Sequence, residues 1–289
     1  MKPPPFDYFA PETLEEALSL LTEYGAEAQP LAGGQSLVPM LALRVSRPSV
    51  LLDLRHLAEL RGIATDGVEL QVGSMTRQAE ALNSPKIAAA LPGLGDAIRL
   101  VGHFQTRNRG TIGGSIALGE PAAENPAFAL ALEAELELRS VRGSRMINAT
   151  QFYTGPYTTA RADDELLISI RYRPANGARI GIEEVAQRRG DFALAGLVAN
   201  LEVDGSRIAK ASLAWLGMGS TPLRAPSAEA ALCGADITSL DLDEVAELAL
   251  GDSDPFEDAH ATVAYRCQAG RTVLTRLLGR LLPERTSLA

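Results

Sequence analysis

Two stretches far apart in the chain, 31-LAGGQSLVP-39 and 110-GTIGGSIA-117, are near echoes of each other. In the first, a short extended run, Ala28 to Leu31, delivers the backbone into Gly33-Gly34, with Gln35, Ser36 and Leu37 following. In the second, Thr111 and Ser115 flank Gly113-Gly114. A glycine pair has no Cβ, so consecutive amides can converge on an anion that any other side chain would keep at a distance. Neighbouring hydroxyls add donors. One such turn is an ordinary feature of many folds. Two of them, each with hydroxyls alongside, have the parts to hold one diphosphate from opposite sides. By spacing alone the pair remains compatible with two purely structural turns.

Better-known phosphate and catalytic motifs are missing. There is no GxxxxGK[ST] loop and no strand–GxGxxG–helix; the nearest approach, Gly217-Met-Gly219-Ser-Thr-Pro222, puts proline at the third glycine position. No GxSxG elbow is present, and the acidic runs Asp163-Asp164-Glu165 and Glu183-Glu184 read as solvated faces. A net charge of −9, 5% aromatic residues and no basic block argue against nucleic-acid binding. Cys233 and Cys267 are too few for an iron–sulfur cluster in this chain, and His56, His103 and His260 lack metal-ligand spacing. No apolar run approaches membrane length, and residues 1–13 contain no signal-type apolar segment, so the cytoplasm is the expected location. Chemistry in such a chain is expected to come from a bound organic cofactor.

The 289 residues suggest about two domains. Thr13-Leu-Glu-Glu16 is a capping box opening a helix with Leu14, Ala17, Leu18 and Leu21 on one face and Gly25 as its stop. Ser49 to Leu54 reads as a buried strand. Asp66-Gly67 and Arg142-Gly143 mark hairpins, and residues 101–115 read as a loop. Leu166 to Tyr172 is a strand, and 174-PANG-177 a candidate boundary. Beyond it, Leu197 to Val203 and Ile208 to Leu216 suggest an antiparallel sheet, followed by helices at Ser227–Leu232, Leu242–Leu250 and Thr262–Leu282. Segregated strands and helices favour α+β.

The set 32-AGGQSLVPML-41, 107-RNRGTIGGSIA-117, 155-GPYTTA-160, 165-ELLISI-170 and 188-RRGDFAL-194 resembles the FAD-carrying medium subunits of molybdenum hydroxylases. That family includes the flavin subunits of xanthine dehydrogenase and of aerobic carbon monoxide dehydrogenase. The likeness runs from 4-PPFDYFAPETLEEAL-18 to 258-DAHATVAYR-266, nearly end to end.

The resemblance implies an α+β flavin-binding domain of the vanillyl-alcohol-oxidase (PCMH) type over 1–175, with subdomains of about 1–56 and 57–175. A smaller C-terminal domain of the carbon monoxide dehydrogenase flavoprotein kind would span 178–285. Leu31, Ala32, Gly33, Gly34, Gln35, Ser36 and Leu37 would wrap one side of the FAD diphosphate, and Thr111, Gly113, Gly114 and Ser115 the other. Glu124 would lie toward the ribose and adenine, while Leu167, Asp191 and Phe192 would approach the isoalloxazine. FAD would be held noncovalently.

The molybdenum cofactor and [2Fe–2S] clusters would sit in partners: a large molybdopterin-binding subunit and a small iron–sulfur subunit, in an (αβγ)2 assembly. The implied function is electron transfer, as the oxidoreductase subunit that passes electrons from those clusters to an external acceptor. The alternatives are a self-sufficient FAD-dependent oxidoreductase on the same fold and a flavin-free assembly subunit. The chain departs from the family pattern at Leu118, where a His is usual, and at Glu184, where a Lys is common; both departures are expected to fall at the flavin's edge. Gln35, in place of the His of the carbon monoxide enzymes, favours an organic substrate for the complex.

Overall fold

A computed structural model describes residues 2–282. The chain forms three consecutive lobes. In the first, β1 (Asp7–Phe9), α1 (Leu14–Tyr24), β2 (Ala28–Leu31), α2 (Leu37–Ala42) and β3 (Val50–Asp53) make a parallel sheet in the order β1-β3-β2. Thr13 caps α1 by accepting from the Glu16 amide at 3.2 Å. The Glu16 carboxylate reaches one residue further back than a standard box, to the Glu12 amide at 3.0 Å. Leu14, Leu18 and Leu21 are buried against β3, each stabilising the fold by about 1.5–3 kcal/mol.

The second lobe contains β4 (Ile63–Thr65), β5 (Leu70–Gly73), the helices α3 (Gln78–Leu82), α4 (Pro85–Ala90), α5 (Pro92–Leu100), α6 (Phe104–Arg109), α7 (Ile112–Leu118) and α8 (Glu124–Ala131), then β6 (Glu135–Ser140), β7 (Gly143–Asn148), β8 (Tyr153–Gly155), β9 (Thr158–Thr159) and β10 (Leu166–Tyr172). Its sheet is antiparallel, in the order β4-β5-β10-β6-β7, and β8 and β9 make a small ribbon. The β6–β7 turn falls at Val141-Arg142, one residue earlier than expected, because Ser140 pairs with Gly143. The stretch 101–115 is not a loop: it holds all of α6 and the start of α7.

The third lobe comprises β11 (Arg179–Ala186), β12 (Ala193–Asp204), β13 (Arg207–Leu216), β14 (Leu223–Arg224), α9 (Pro226–Leu232), α10 (Leu242–Gly251) and α11 (Val263–Leu281). Its antiparallel sheet, β11-β12-β13-β14, is buried on both faces. Leu197, Ala199, Leu213 and Trp215 pack on α9–α11, while Val198, Ala214 and Leu216 join the core of the second lobe. Alternation along β12 and β13 thus fastens the third lobe to α5 and α8 rather than leaving it a separate globule. Residues 283–285 of the expected C-terminal domain lie outside the described residues.

Candidate cofactor-binding site

Gly33-Gly34 leaves the end of β2, and Gly113-Gly114 forms the first turn of α7. The fold brings them into contact. A Cβ on Gly33 would fall 2.3 Å from the Arg109 carbonyl oxygen and 2.7 Å from the Gly110 Cα. One on Gly114 would lie 3.1 Å from the Ala32 Cβ. Gly113 is pressed against Ser74 in the same way, its missing Cβ only 2.4 Å from the Ser74 Cβ. At Gly33 and Gly113, therefore, glycine is demanded first by backbone meeting backbone. Gly34 is the position that needs glycine for its conformation, with φ at +73°.

The two motifs differ in what they offer a ligand. In the first, the amides of Gly33, Gly34, Gln35 and Ser36 have no acceptor among the described residues. They form a row of free donors. In the second, the expectation of free amides fails. The Ile112 amide donates to the Thr76 carbonyl at 3.0 Å and that of Gly113 to the Ser74 carbonyl at 2.9 Å. The Gly114 amide donates to the Thr111 Oγ1 at 3.0 Å and that of Ser115 to the Thr111 carbonyl at 3.2 Å. This side presents hydroxyls instead: Ser115, and Thr111, whose own proton is not used by accepting from Gly114. Replacing Thr111 by Ala removes the cap and is expected to cost about 1 kcal/mol, lowering the melting temperature by roughly 2–4 °C, whereas Thr111→Ser keeps it. A thermal melt of the two variants checks this.

Between the motifs lies a cavity of about 650 Å³, bounded by the first lobe, the second lobe and the β11–β12 connection. This is ample for a cofactor-sized ligand. Of the residues nominated from sequence, Ala32, Gly33, Gly34, Gln35, Ser36, Leu37, Thr111, Gly113, Gly114, Ser115, Glu124, Leu167, Asp191 and Phe192 all line it. Leu31 does not; it supports Gly34 from below, its Cδ1 3.4 Å from where a Gly34 Cβ would be. The Gln35 side chain folds back to donate to the Gly33 carbonyl at 3.3 Å. Leu167 lies where β10 breaks register against β6, between Leu167 and Ser169. The bulge turns the chain toward the cavity. Phe192 and Tyr157 leave large aromatic surfaces open at the rim, 58% and 53% exposed. Such surfaces suit stacking on a flat ring.

Other lining residues carried no sequence signal. Ser74 and Gln78 are buried, and Ser74 Oγ and Gln78 Oε1 have no hydrogen-bond partner among the described residues. Unpaired buried polar atoms facing a cavity fit a hydroxyl-rich ligand. Tyr157, in the left-handed region at φ +52°, hydrogen-bonds through its hydroxyl to the Glu120 carboxylate. Arg161 is the sole cation of the lining among the described residues, against Glu120, Glu124, Asp163 and Asp191. A diphosphate here would be met mainly by neutral donors.

The acidic runs are not simply solvated faces. Glu165 is buried and takes both arms of Arg145, at 2.7 and 2.8 Å. That hydrogen-bonded guanidinium holds its carboxyl below the usual range. Glu183 pairs with Arg280 at 2.5 Å. Glu184 is half-buried and does not line the cavity, and its charge raises the Glu124 carboxyl. Leu118 does line the cavity. No helix is long and apolar enough to cross a membrane among the described residues.

Comparison with known proteins gives the architecture its relatives. Residues 4–172 match the family model described as the FAD binding domain in molybdopterin dehydrogenase. Residues 182–281 match the CO dehydrogenase flavoprotein C-terminal domain. The chain is 36% identical to the 6-hydroxypseudooxynicotine dehydrogenase complex subunit alpha of Paenarthrobacter nicotinovorans, over 98% of this chain and 96% of that one. It is 34% identical to the carbon monoxide dehydrogenase medium chain of Hydrogenophaga pseudoflava, over 96% and 97%. The solved carbon monoxide dehydrogenase from Hydrogenophaga pseudoflava superposes with a TM-score of 0.95 at 36% identity over 99% of both chains. Quinoline 2-oxidoreductase from Pseudomonas putida 86 gives 0.92 at 32% identity, again over 99% of both. A lobed fold with a cofactor-sized cavity between paired glycine motifs and a match along nearly its whole length place the chain in one family: it belongs to the FAD-binding subunits of molybdenum-dependent dehydrogenases.

Proposed function

We propose that this chain is the FAD-carrying electron-transfer subunit of a heterotrimeric molybdenum hydroxylase. The observation that carries the reading is the cavity itself, where unpartnered amides of one loop meet the hydroxyls of another. The amides of Gly33 to Ser36 would donate to one side of the diphosphate, and Thr111 and Ser115 would donate through their hydroxyls from the other. Glu124 faces the sugar and adenine end. Leu167, Asp191 and Phe192 would bound the flavin end, where the Phe192 ring at the rim would cover it. Ser74 and Gln78 are placed to pair with the hydroxyls that flank a diphosphate in FAD. When bound, FAD supplies the redox chemistry, so the protein's tasks are binding, orientation and electrostatic tuning.

Electrons would come from [2Fe–2S] clusters of a small partner subunit, fed by a molybdenum cofactor in a large one, and leave to an external acceptor. The (αβγ)2 assembly, a cytoplasmic location and the division into a cofactor-binding part, 1–175, with lobes 1–56 and 57–175, and a closing part, 178–285, belong to the same proposal. The test is native mass spectrometry of the protein as purified. One noncovalent FAD per chain, released on denaturation, is the expected result, together with co-purifying large and small subunits. A chain that carries no FAD mass and gains none on incubation with FAD overturns the reading.

A further inference from the structure

Glu124 begins α8 in the cavity wall and is only 5% exposed. No cation pairs with it among the described residues. Across the junction between lobes, Glu184 of β11 lies close enough for its charge to act on Glu124. The Glu184 Oε2 is shut off from solvent and has no hydrogen-bond partner among the described residues. Asn125, next to Glu124 and fully buried, leaves both atoms of its amide without a partner among the described residues.

The remaining charged neighbours are acidic and already engaged. Glu120, ahead of α8, accepts from the Tyr157 hydroxyl and from the Ala122 amide at 3.1 Å. Glu183, beside Glu184 on β11, is paired with Arg280 of α11. Two carboxyls placed together with no cation cannot both ionise cheaply in a poorly hydrated setting.

We propose that Glu124 and Glu184 form one proton-holding pair across the junction between lobes, and that its deprotonation weakens the cavity's grip on its anionic ligand. The inference rests on the FAD reading above.

Burial, then the charge on Glu183, raises the Glu184 carboxyl to about 7. Burial, then the charge on Glu184, raises that of Glu124 to about 8. The two protons therefore leave in coupled steps, the first charge holding the second proton in place over the next stretch of pH. Both groups sit above their unfolded values, so the folded state binds the protons more tightly. The stability they contribute is complete at low pH and is lost as pH rises through about 7 to 8. Over the same window the diphosphate stays dianionic. Each lost proton adds negative charge at or beside a wall that already carries Glu120, Asp163 and Asp191 against Arg161 alone.

The test uses the full chain stripped of FAD and titrated with FAD from about pH 6 to about pH 9, with a melting curve of the FAD-free chain at each pH. The Kd is expected to rise about tenfold between pH 7 and pH 9, the total change that follows if bound FAD shifts the pair's proton loss by about one pH unit. The melting temperature should fall from pH 6 to about pH 8 and level off above it. Glu184→Gln removes one charge, so its midpoint moves to lower pH and it binds FAD more tightly than wild type at pH 9. Glu184→Lys supplies a cation that ionises Glu124 throughout, so both profiles become flat.

A wild-type chain whose affinity and melting temperature are both constant over this range overturns the pair. So do pH profiles that neither substitution changes. If neither variant folds, the wild-type profiles decide the matter. Absence of FAD binding at every pH overturns the cofactor reading instead, and the melting curves then test the pair alone.

Discussion

Gly33→Val is expected to weaken FAD binding by at least about a hundredfold. The first carbon of the new side chain would lie 2.3 Å from the Arg109 carbonyl oxygen and 2.9 Å from its carbonyl carbon. Backbone cannot swing aside as a flexible side chain can, so the 32–36 loop must lift off the α6–α7 connection. Overpacking of this kind costs about 1–3 kcal/mol. The larger loss is functional. Lifting the loop moves its four free amides out of register with the Thr111 and Ser115 hydroxyls, and hydrogen bonds to a charged group contribute about 1.5–3 kcal/mol each. Losing even two exceeds the 2.7 kcal/mol or so that a hundredfold change represents.

Gly34→Ala gives the contrast. Its obstacle is conformational, a left-handed φ of +73°, with only the Val38 Cγ2 at 3.2 Å in the way. Strain of about 1–2 kcal/mol predicts a loss near tenfold. FAD titration with a parallel thermal melt measures both variants. Wild-type affinity in a folded Gly33→Val chain would remove the diphosphate from this loop.

The elements legible in the sequence are those whose signal is local. Thr13, the spacing of Leu14, Leu18 and Leu21, and the alternation of Leu70 and Val72 each report a period or a cap that neighbours alone determine. The glycine pairs were legible for the same reason, since a missing side chain is a local fact. What they touch was not. The amides of 112 and 113 are consumed by carbonyls of 74 and 76, a pairing no spacing announces.

Residues 101–115 read as a loop because FQTRNR buries nothing and the start of IGGSIAL carries two helix-weakening glycines. The Thr111 cap and the contacts to 74–78 override that propensity. Glu165 and Glu184 read as solvated because charged runs usually are. Arg145 and Glu124, which decide their environments, lie elsewhere in the sequence. The chemistry of the site was therefore visible where it resides in backbone turns, and hidden where it resides in side chains such as Ser74, Gln78 and Arg161.

Replacing Arg266 by Met is expected to lower the melting temperature by roughly 6–12 °C and to loosen FAD binding together with it. Arg266 is 2% exposed and stands on α11, away from the cavity. It donates to the Leu194 carbonyl at 2.6 Å, the Gly217 carbonyl at 3.0 Å and the Asp258 carboxylate at 2.7 Å, and its guanidinium lies 4.5 Å from the centre of the Phe256 ring. Met fills comparable volume but leaves two buried carbonyls without donors. The cost is on the order of 3 kcal/mol, hence the melting shift.

Both carbonyls lead back to the site. Leu194 lies two residues past Phe192, whose ring stands at the cavity rim. The Gly217 amide donates to the Pro121 carbonyl at 3.0 Å, in the segment that leads to Ala123 and Glu124. One cation thus braces two walls of the cavity from behind. The readout that separates this role from plain destabilisation is FAD dissociation measured well below the melting range. Faster release from Arg266→Met, with Phe256→Leu releasing FAD at the wild-type rate, supports the brace. Unchanged release in a chain that melts earlier would reduce Arg266 to a support of the C-terminal lobe alone.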